Sequence, residues 1–168
     1  SNPSGSYKDR FAAFAIADIL ANKGKICLAT SSGNTGAALA AYAAAAGMPC
    51  KIAIVDGAPE GKLKQMRAYG AYLYIIKEFG KNREVSERVF DKLSELAREN
   101  QTYIQVSAFK YSPVGMTGVQ TISFELAEDL DEVNNVFVPS GGGGLALAIA
   151  RGFQTWKNHQ LGFNLPAV

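Results

Sequence analysis

Short runs of uninterrupted apolar residues, each followed by a stretch with helical spacing, do most to restrict the fold of this chain. The runs are "KICLAT", "KIAIVD", "AYLYII", "YIQVS" and "NVFVP". Segments with helical character fall between and around them, at 11–20, 35–46 and 60–69, from Glu84 onward, and in "VQTISFELAEDL" and "LALAIARGFQTW". Val85, Val89, Leu93, Leu96 and Ala97 mark one face of the fourth. Strand–helix alternation of this kind predicts an α/β fold, a parallel sheet in three α/β/α layers. Strands that are apolar throughout suit burial on both faces. Gly24 is expected to end the first helix. "AFKYSPVGMTG" reads as irregular, and its first part as a crossing between two lobes. Residues 1–112 are then a smaller N-terminal lobe, and 113–168 the start of a larger one. "LPAV" looks like a strand begun without a covering helix, and Lys8 has no strand ahead of its turn. A piece of a longer protein, cut at both ends, is expected.

Composition excludes several classes. Apolar residues make up 48% of the chain and charged residues 19%, enough for a real core. A net charge of +2 without any block of like charge disfavours nucleic acid as a partner. No apolar run reaches membrane-spanning length and no targeting segment opens the chain, so a soluble cytoplasmic protein is expected. Cys27 and Cys50 lie in runs that read as neighbouring strands, and free core thiols are expected there. No metal site is expected.

Open parallel sheets bind ligands outside the carboxyl ends of their strands. Two loops fall at such places, "SSGNTG" at 31–36 and "SGGGG" at 140–144. Each joins a strand end to a helix start, where unpaired N–H groups and the helix dipole attract anions. Consecutive glycines let the backbone curl and aim several N–H groups at one phosphate. A dinucleotide is disfavoured, because "QLGFNLP" lacks the acidic residue such sites carry downstream. No Gly-Lys-Ser/Thr follows the run, which excludes a nucleotide triphosphate loop. "SSGNTG" offers hydroxyls and N–H groups to a carboxylate, and Asn34 offers an amide to a neutral or phenolic oxygen. The plainer alternative is an ordinary helix start capped by Ser32, Asn34 or Thr35. Lys8, in "NPSGSYKDR", is the third piece. An amine partly desolvated beside a helix's positive end favours the free base that a nucleophile requires. Lysine, phosphate loop and carboxylate loop together are the parts of a pyridoxal phosphate site.

In order and spacing, "NPSGSYKDR", "SSGNTGAALAAYAA", "GKLKQMRAYGA" and "PSGGGGL" resemble the fold-type II pyridoxal phosphate enzymes, the tryptophan synthase β-like group. The likeness covers essentially the whole chain. It implies pyridoxal 5'-phosphate as cofactor, a small amino-acid substrate, and a homodimeric parent enzyme catalysing elimination or replacement. It implies that Lys8 carries the cofactor and moves the substrate's Cα proton, and that Asn34 bonds the cofactor's ring oxygen. Ser32, Gly33, Thr35 and Gly36 would grip the substrate carboxylate. Gly141, Gly142, Gly143, Gly144 and Leu145 would cradle the phosphate.

Within the group the stretches are most similar to threonine synthase, which turns O-phosphohomoserine and water into threonine and phosphate. Two departures keep a serine/threonine dehydratase or a cysteine synthase-like β-replacement open. "SAFKYSPVG" stands where threonine synthases carry Asn-Pro-x-Arg, so Lys110 would supply charge without a bidentate fork. The four-glycine loop is the kind commoner in dehydratases. The residue facing the pyridine nitrogen is expected beyond Val168. The competing reading is an inactive lobe that folds and self-associates through a sheet edge. His159, Trp156, Phe153, Tyr111, Ser112, Lys62, Lys64, Asp9 and Arg10 are expected to serve structure or surface rather than chemistry.

Overall fold

Four apolar runs become the strands of one sheet: β1 (Cys27–Thr30), β2 (Cys50–Val55), β3 (Tyr72–Ile76) and β4 (Ile104–Gln105). They appear in a computed structural model that describes residues 2–160 and 162–168. Every pairing is parallel and the order is β3-β2-β1-β4. The helices are α1 (Lys8–Ala21), α2 (Asn34–Ala45), α3 (Glu60–Ala68), α4 (Arg83–Glu99), α5 (Pro113–Val119), α6 (Thr121–Asp129) and α7 (Gly144–His159).

Strand periodicity divides the core into two layers. Cys27, Ala29, Cys50, Ile52 and Ile54 face α1, α2 and α3. Leu28 packs with Ile26 and Ala97, and Ala53 with Phe79 and Leu93, beneath α4. α2 buries most of its circumference, with Ala37, Ala38, Leu39, Ala40 and Ala43 fully covered. Alanine makes that possible, because short side chains let two neighbours approach one helix closely. Cys27 and Cys50 are register partners, buried and unlinked. The adjoining Cys50 side chain, together with burial, holds the Cys27 thiol well above its ordinary range.

The order of strands creates the feature that matters for function. From β1 the chain steps outward through β2 to β3, then returns to place β4 on the other side of β1. A reversal of this kind opens a crevice at the carboxyl ends of the two strands that flank it. Here those are β1 and β4.

Several expectations are corrected. "AFKYSPVGMTG" is not irregular throughout, since α5 begins at Pro113 with proline in its first turn. "NVFVP" is not a strand. Among the described residues it forms one parallel bridge, Asn135 to Ala167, and Phe137 is 95% exposed. A strand needs neighbours on its hydrogen-bonding edges, and among the described residues only the 165–168 segment runs beside this one. "LPAV" accordingly contributes that bridge alone. β3 is apolar but not buried, because it is an edge strand with Tyr72, Tyr74 and Ile75 exposed.

α1 ends differently from expectation as well. The left-handed residue is Lys23, at φ 59°, while Gly24 donates its N–H to Ile19 O at 2.8 Å. Lys23 N–H bonds Leu20 O at 3.0 Å, completing a Schellman motif with lysine where glycine is usual. Gly24 is needed for space, since a Cβ there would lie 2.6 Å from Ile19 Cγ2. Lys23→Gly is therefore expected to stabilise the protein by about 0.5–1 kcal/mol. The measurement is urea unfolding; a lower midpoint would refute the assignment.

Candidate active site

The turn that carries Lys8 is held from two directions. Gly5 bends the chain at φ 87° and donates its N–H to Asn2 O at 2.9 Å. Asp9 is buried and its carboxylate accepts the Ser4 N–H at 2.8 Å. From α3, the Gln65 amide donates to Ser4 O at 2.9 Å. Lys8 thus opens α1 at a fixed point, half-buried, with its Nζ donating to Ser107 Oγ at 2.9 Å. Ser107 Oγ lies 3.0 Å from Thr35 Oγ1. One serine joins the Lys8 turn, the β1–α2 loop and the segment after β4, at the crevice that strand order creates.

Ser107 was not singled out from sequence. It follows β4 by two residues, a place of interest only once β4 is known to lie beside β1.

A cavity of about 630 Å³ opens at this junction. Lys8, Ser107, Phe109 and Lys110 line one part of it, and Gly141–Gly144 with Leu145 line another. A Cβ built on Gly141, Gly142 or Gly143 would meet nothing within 4 Å, so these glycines are not there for close packing. Gly143 stands at φ 74° just before α7, the left-handed conformation glycine adopts without strain. The first turn of α7 then leaves its leading N–H groups without helical partners.

The "SSGNTG" loop is organised by a residue outside the expected set of caps. Ser31 Oγ accepts the Gly36 N–H at 3.0 Å and the Gly33 N–H at 3.3 Å. Ser32, Asn34 and Thr35 make no side-chain cap for α2. Among the described residues the Asn34 and Thr35 N–H groups have no partner. Gly36 is buried, and a Cβ there would lie 2.6 Å from Ser31 O and 2.8 Å from Met66 Sδ. Its bareness serves the packing of α2 on α3. Thr35 reaches the cavity through Ser107, whereas Ser32, Gly33, Asn34 and Gly36 are not among its lining residues. Asn34 is exposed to solvent.

Residues set aside from sequence have structural partners. Arg10 forks onto Glu125 at 2.7 and 2.6 Å and donates to Thr121 Oγ1 at 2.8 Å, fastening α1 to α6. Ser112 Oγ accepts the Val106 N–H at 3.1 Å beyond β4, Tyr111 stacks on Phe90, and Phe153 is core. Lys64 pairs with Glu60, Lys62 bonds Gln65, and His159 is exposed.

The Arg10 hydrogen bond, partly opposed by desolvation, holds the Glu125 carboxyl below its usual range. A depressed folded-state value contributes stability above the unfolded value, about 4.3, which is lost as pH falls through the folded value. Glu125 is more than half exposed, so screening keeps the contribution under about 1 kcal/mol. Glu125→Gln is expected to lower stability by that amount at neutral pH, with the difference closing below about pH 4. Urea titrations at several pH values test this; a difference independent of pH would contradict it.

An amine facing a glycine run across a cavity, at the reversal point of a parallel sheet, defines a class: α/β proteins built to hold a small anionic group beside a nucleophile. Residues 1–165 match the family described as Pyridoxal-phosphate dependent enzyme, and the chain belongs to it. It is 35% identical over 165 residues to the threonine synthase of Mycobacterium bovis, covering 96% of this chain and 42% of that protein. It is 32% identical over 161 residues to the threonine synthase of Methanocaldococcus jannaschii, covering 94% and 37%. The structure of maize serine racemase superposes with a TM-score of 0.78 at 27% identity, over 92% of this chain and 45% of that one. The chain thus spans less than half the length of these relatives.

The family's cofactor is pyridoxal 5'-phosphate, and the residues present suit it. The cavity is lined by a lysine amine and by open glycines whose N–H groups have no partner among the described residues, groups able to take an aldehyde and a phosphate. Its volume falls within the range of about 300–1,000 Å³ usual for cofactor sites. Among the described residues no helix is long and apolar enough to cross a membrane.

Proposed function

We propose that this chain carries the cofactor site of an amino-acid enzyme acting by elimination or replacement, with threonine formation from O-phosphohomoserine as its reaction. The observation that carries the proposal is the Lys8–Ser107–Thr35 chain of hydrogen bonds beside the cavity walled by the glycine run. When bound, the cofactor supplies an electron sink that acidifies the substrate's Cα–H bond. Lys8 Nζ would hold it and, once the substrate's amine has taken the lysine's place, would accept and return the Cα proton. Ser107 keeps that nitrogen aimed into the cavity by accepting its hydrogen bond. N–H groups of Gly141 to Leu145 bind the phosphate. By the family resemblance Asn34 would meet the ring oxygen, and Ser32, Gly33, Thr35 and Gly36 would form the loop for the substrate carboxylate. Thr35 is the member joined to the cavity here, through Ser107. The N–H groups of Asn34 and Thr35, without a partner among the described residues, would be the donors.

A further cation supports a doubly anionic substrate. Lys110 lines the same cavity, where a phosphorylated side chain needs a countercharge. The reading extends to a cytoplasmic homodimer. Serine/threonine dehydration is the alternative, favoured by the four-glycine loop at 141–144. The experiment supplies pyridoxal 5'-phosphate and offers O-phosphohomoserine, threonine and serine separately. Phosphate release from the first alone supports the proposal. Keto acid from threonine or serine replaces it with the dehydratase, and no borohydride-stable adduct on Lys8 would remove both.

A further inference from the structure

The second large cavity lies on the opposite side of the sheet, where α4 does not close against it. The groove between α4 and strands β1 to β3 encloses about 640 Å³ and shares no lining residue with the Lys8 cavity. Its floor is Leu28 and Ala53, both buried. Ile76 of β3 and Val85, Val89 and Leu93 of α4 form its sides. Such a surface suits an aliphatic body.

Lys51 does not fit that description. It belongs to β2, an interior strand, in register between Leu28 and Tyr72. Alternation puts it on the same face as Ala53, toward α4, and it lines the groove. A half-buried ammonium among apolar side chains is costly unless something compensates its charge. The ion pairs among the described residues leave out both Lys51 and Arg88, which lines the groove from α4. Lys92, a third cation on the groove, is tied to Glu95 at 2.8 Å. Among the described residues no acidic side chain lines this cavity.

We infer that this groove is a binding site for a small amphipathic anion, a medium-chain fatty carboxylate. Its hydrocarbon body lies over Leu28, Ala53 and Val89, and its carboxylate sits between Lys51 and Arg88. A neutral apolar ligand leaves the half-buried Lys51 uncompensated, while Arg88, exposed at the rim, is free to reach an anionic head. A second copy of the chain is disfavoured as the occupant, because it would bring the same three cations against their like. Aliphatic walls favour a flexible chain over an aryl acid, with Tyr74 as the one aromatic lining residue.

The test titrates the full chain with decanoate, below its micellar range, and separately with decanol, which has the same body without the charge. Backbone amide NMR locates binding and calorimetry measures it. Decanoate is expected to saturate a single site with shifts at Leu28, Ala53 and Val89, and decanol to bind at least about tenfold more weakly. Lys51→Met, an unbranched apolar replacement that keeps the fold, is expected to weaken decanoate about tenfold and leave decanol unchanged. Equal affinity for the two probes, shifts confined to other residues, or an unaffected Lys51→Met variant would each overturn the assignment. So would sedimentation showing a dimer that Val89→Glu dissociates and decanoate does not, since the occupant would then be a second copy.

Discussion

Lys8→Ala is expected to abolish the borohydride-stable cofactor adduct and to reduce turnover by about 10²–10⁴-fold, the range for losing a positioned proton-transfer group. The variant should remain folded, which makes the result interpretable. Lys8 is half-buried and, among the described residues, its side chain hydrogen-bonds Ser107 alone. After truncation Ser107 keeps Thr35 as a partner at 3.0 Å, so no buried donor is stranded. Stability is expected to change by less than about 0.5 kcal/mol, as for other substitutions that leave no cavity or orphaned polar group.

Two companion variants separate the roles. Lys8→Arg keeps the charge but has no free amine, and should lose the adduct as completely as alanine. Ser107→Ala keeps the amine but frees it from its anchor. It should retain the adduct on Lys8 while forming it more slowly, because the amine is no longer held toward the cavity. Mass analysis of the Lys8 peptide after borohydride, with urea unfolding alongside, decides the matter. An adduct that persists at another lysine in Lys8→Ala would place the site elsewhere.

The parts of this architecture that were legible in the sequence are those governed by local pattern. "KICLAT" and "KIAIVD" became β1 and β2 because interior strands of a parallel sheet must be apolar on both faces. The loop at 31–36 and the glycine run drew attention because each was expected between a strand end and a helix start. What pattern could not supply was lateral order. Nothing in "YIQVS" says that its strand shortens to two residues or that it pairs with β1, and on that pairing the meeting of Ser107 with Thr35 depends. "NVFVP" failed for the same reason in reverse, having the composition of a strand without neighbouring strands to complete it. α5 was missed because "PVGMTGV" contains two glycines, which argue against a helix by propensity. Those glycines answer to α1. A Cβ on Gly115 would lie 2.6 Å from the Phe11 ring, and one on Gly118 would lie 2.2 Å from Arg10 O.

The contact at Gly118 leads to the largest expected effect on stability. Gly118→Ala adds one methyl group, which ordinarily improves a helix by about 1 kcal/mol. Here that methyl is directed at a backbone carbonyl 2.2 Å away and at the Phe14 ring 2.7 Å away. The ring can turn, but the carbonyl belongs to α1 and moves only if the two helices separate. Overpacking of this kind costs about 3 kcal/mol, a large fraction of the total stability of a small domain. Gly61 gives the comparison, since it lies exposed in α3 with nothing within 4 Å of a Cβ. Gly61→Ala should be neutral or stabilising by up to about 1 kcal/mol. The consequence reaches the site, because α1 begins with Lys8 and α5 follows the segment that carries Ser107. Separating these helices lengthens the Lys8–Ser107 hydrogen bond, so Gly118→Ala should bind cofactor more weakly even where it remains folded. Urea midpoints for both glycine variants, with cofactor titrations at a denaturant concentration where both are native, measure the two effects. If Gly118→Ala proves no more costly than Gly61→Ala, α1 and α5 do not approach as described, and the placement of Lys8 against Ser107 loses its support.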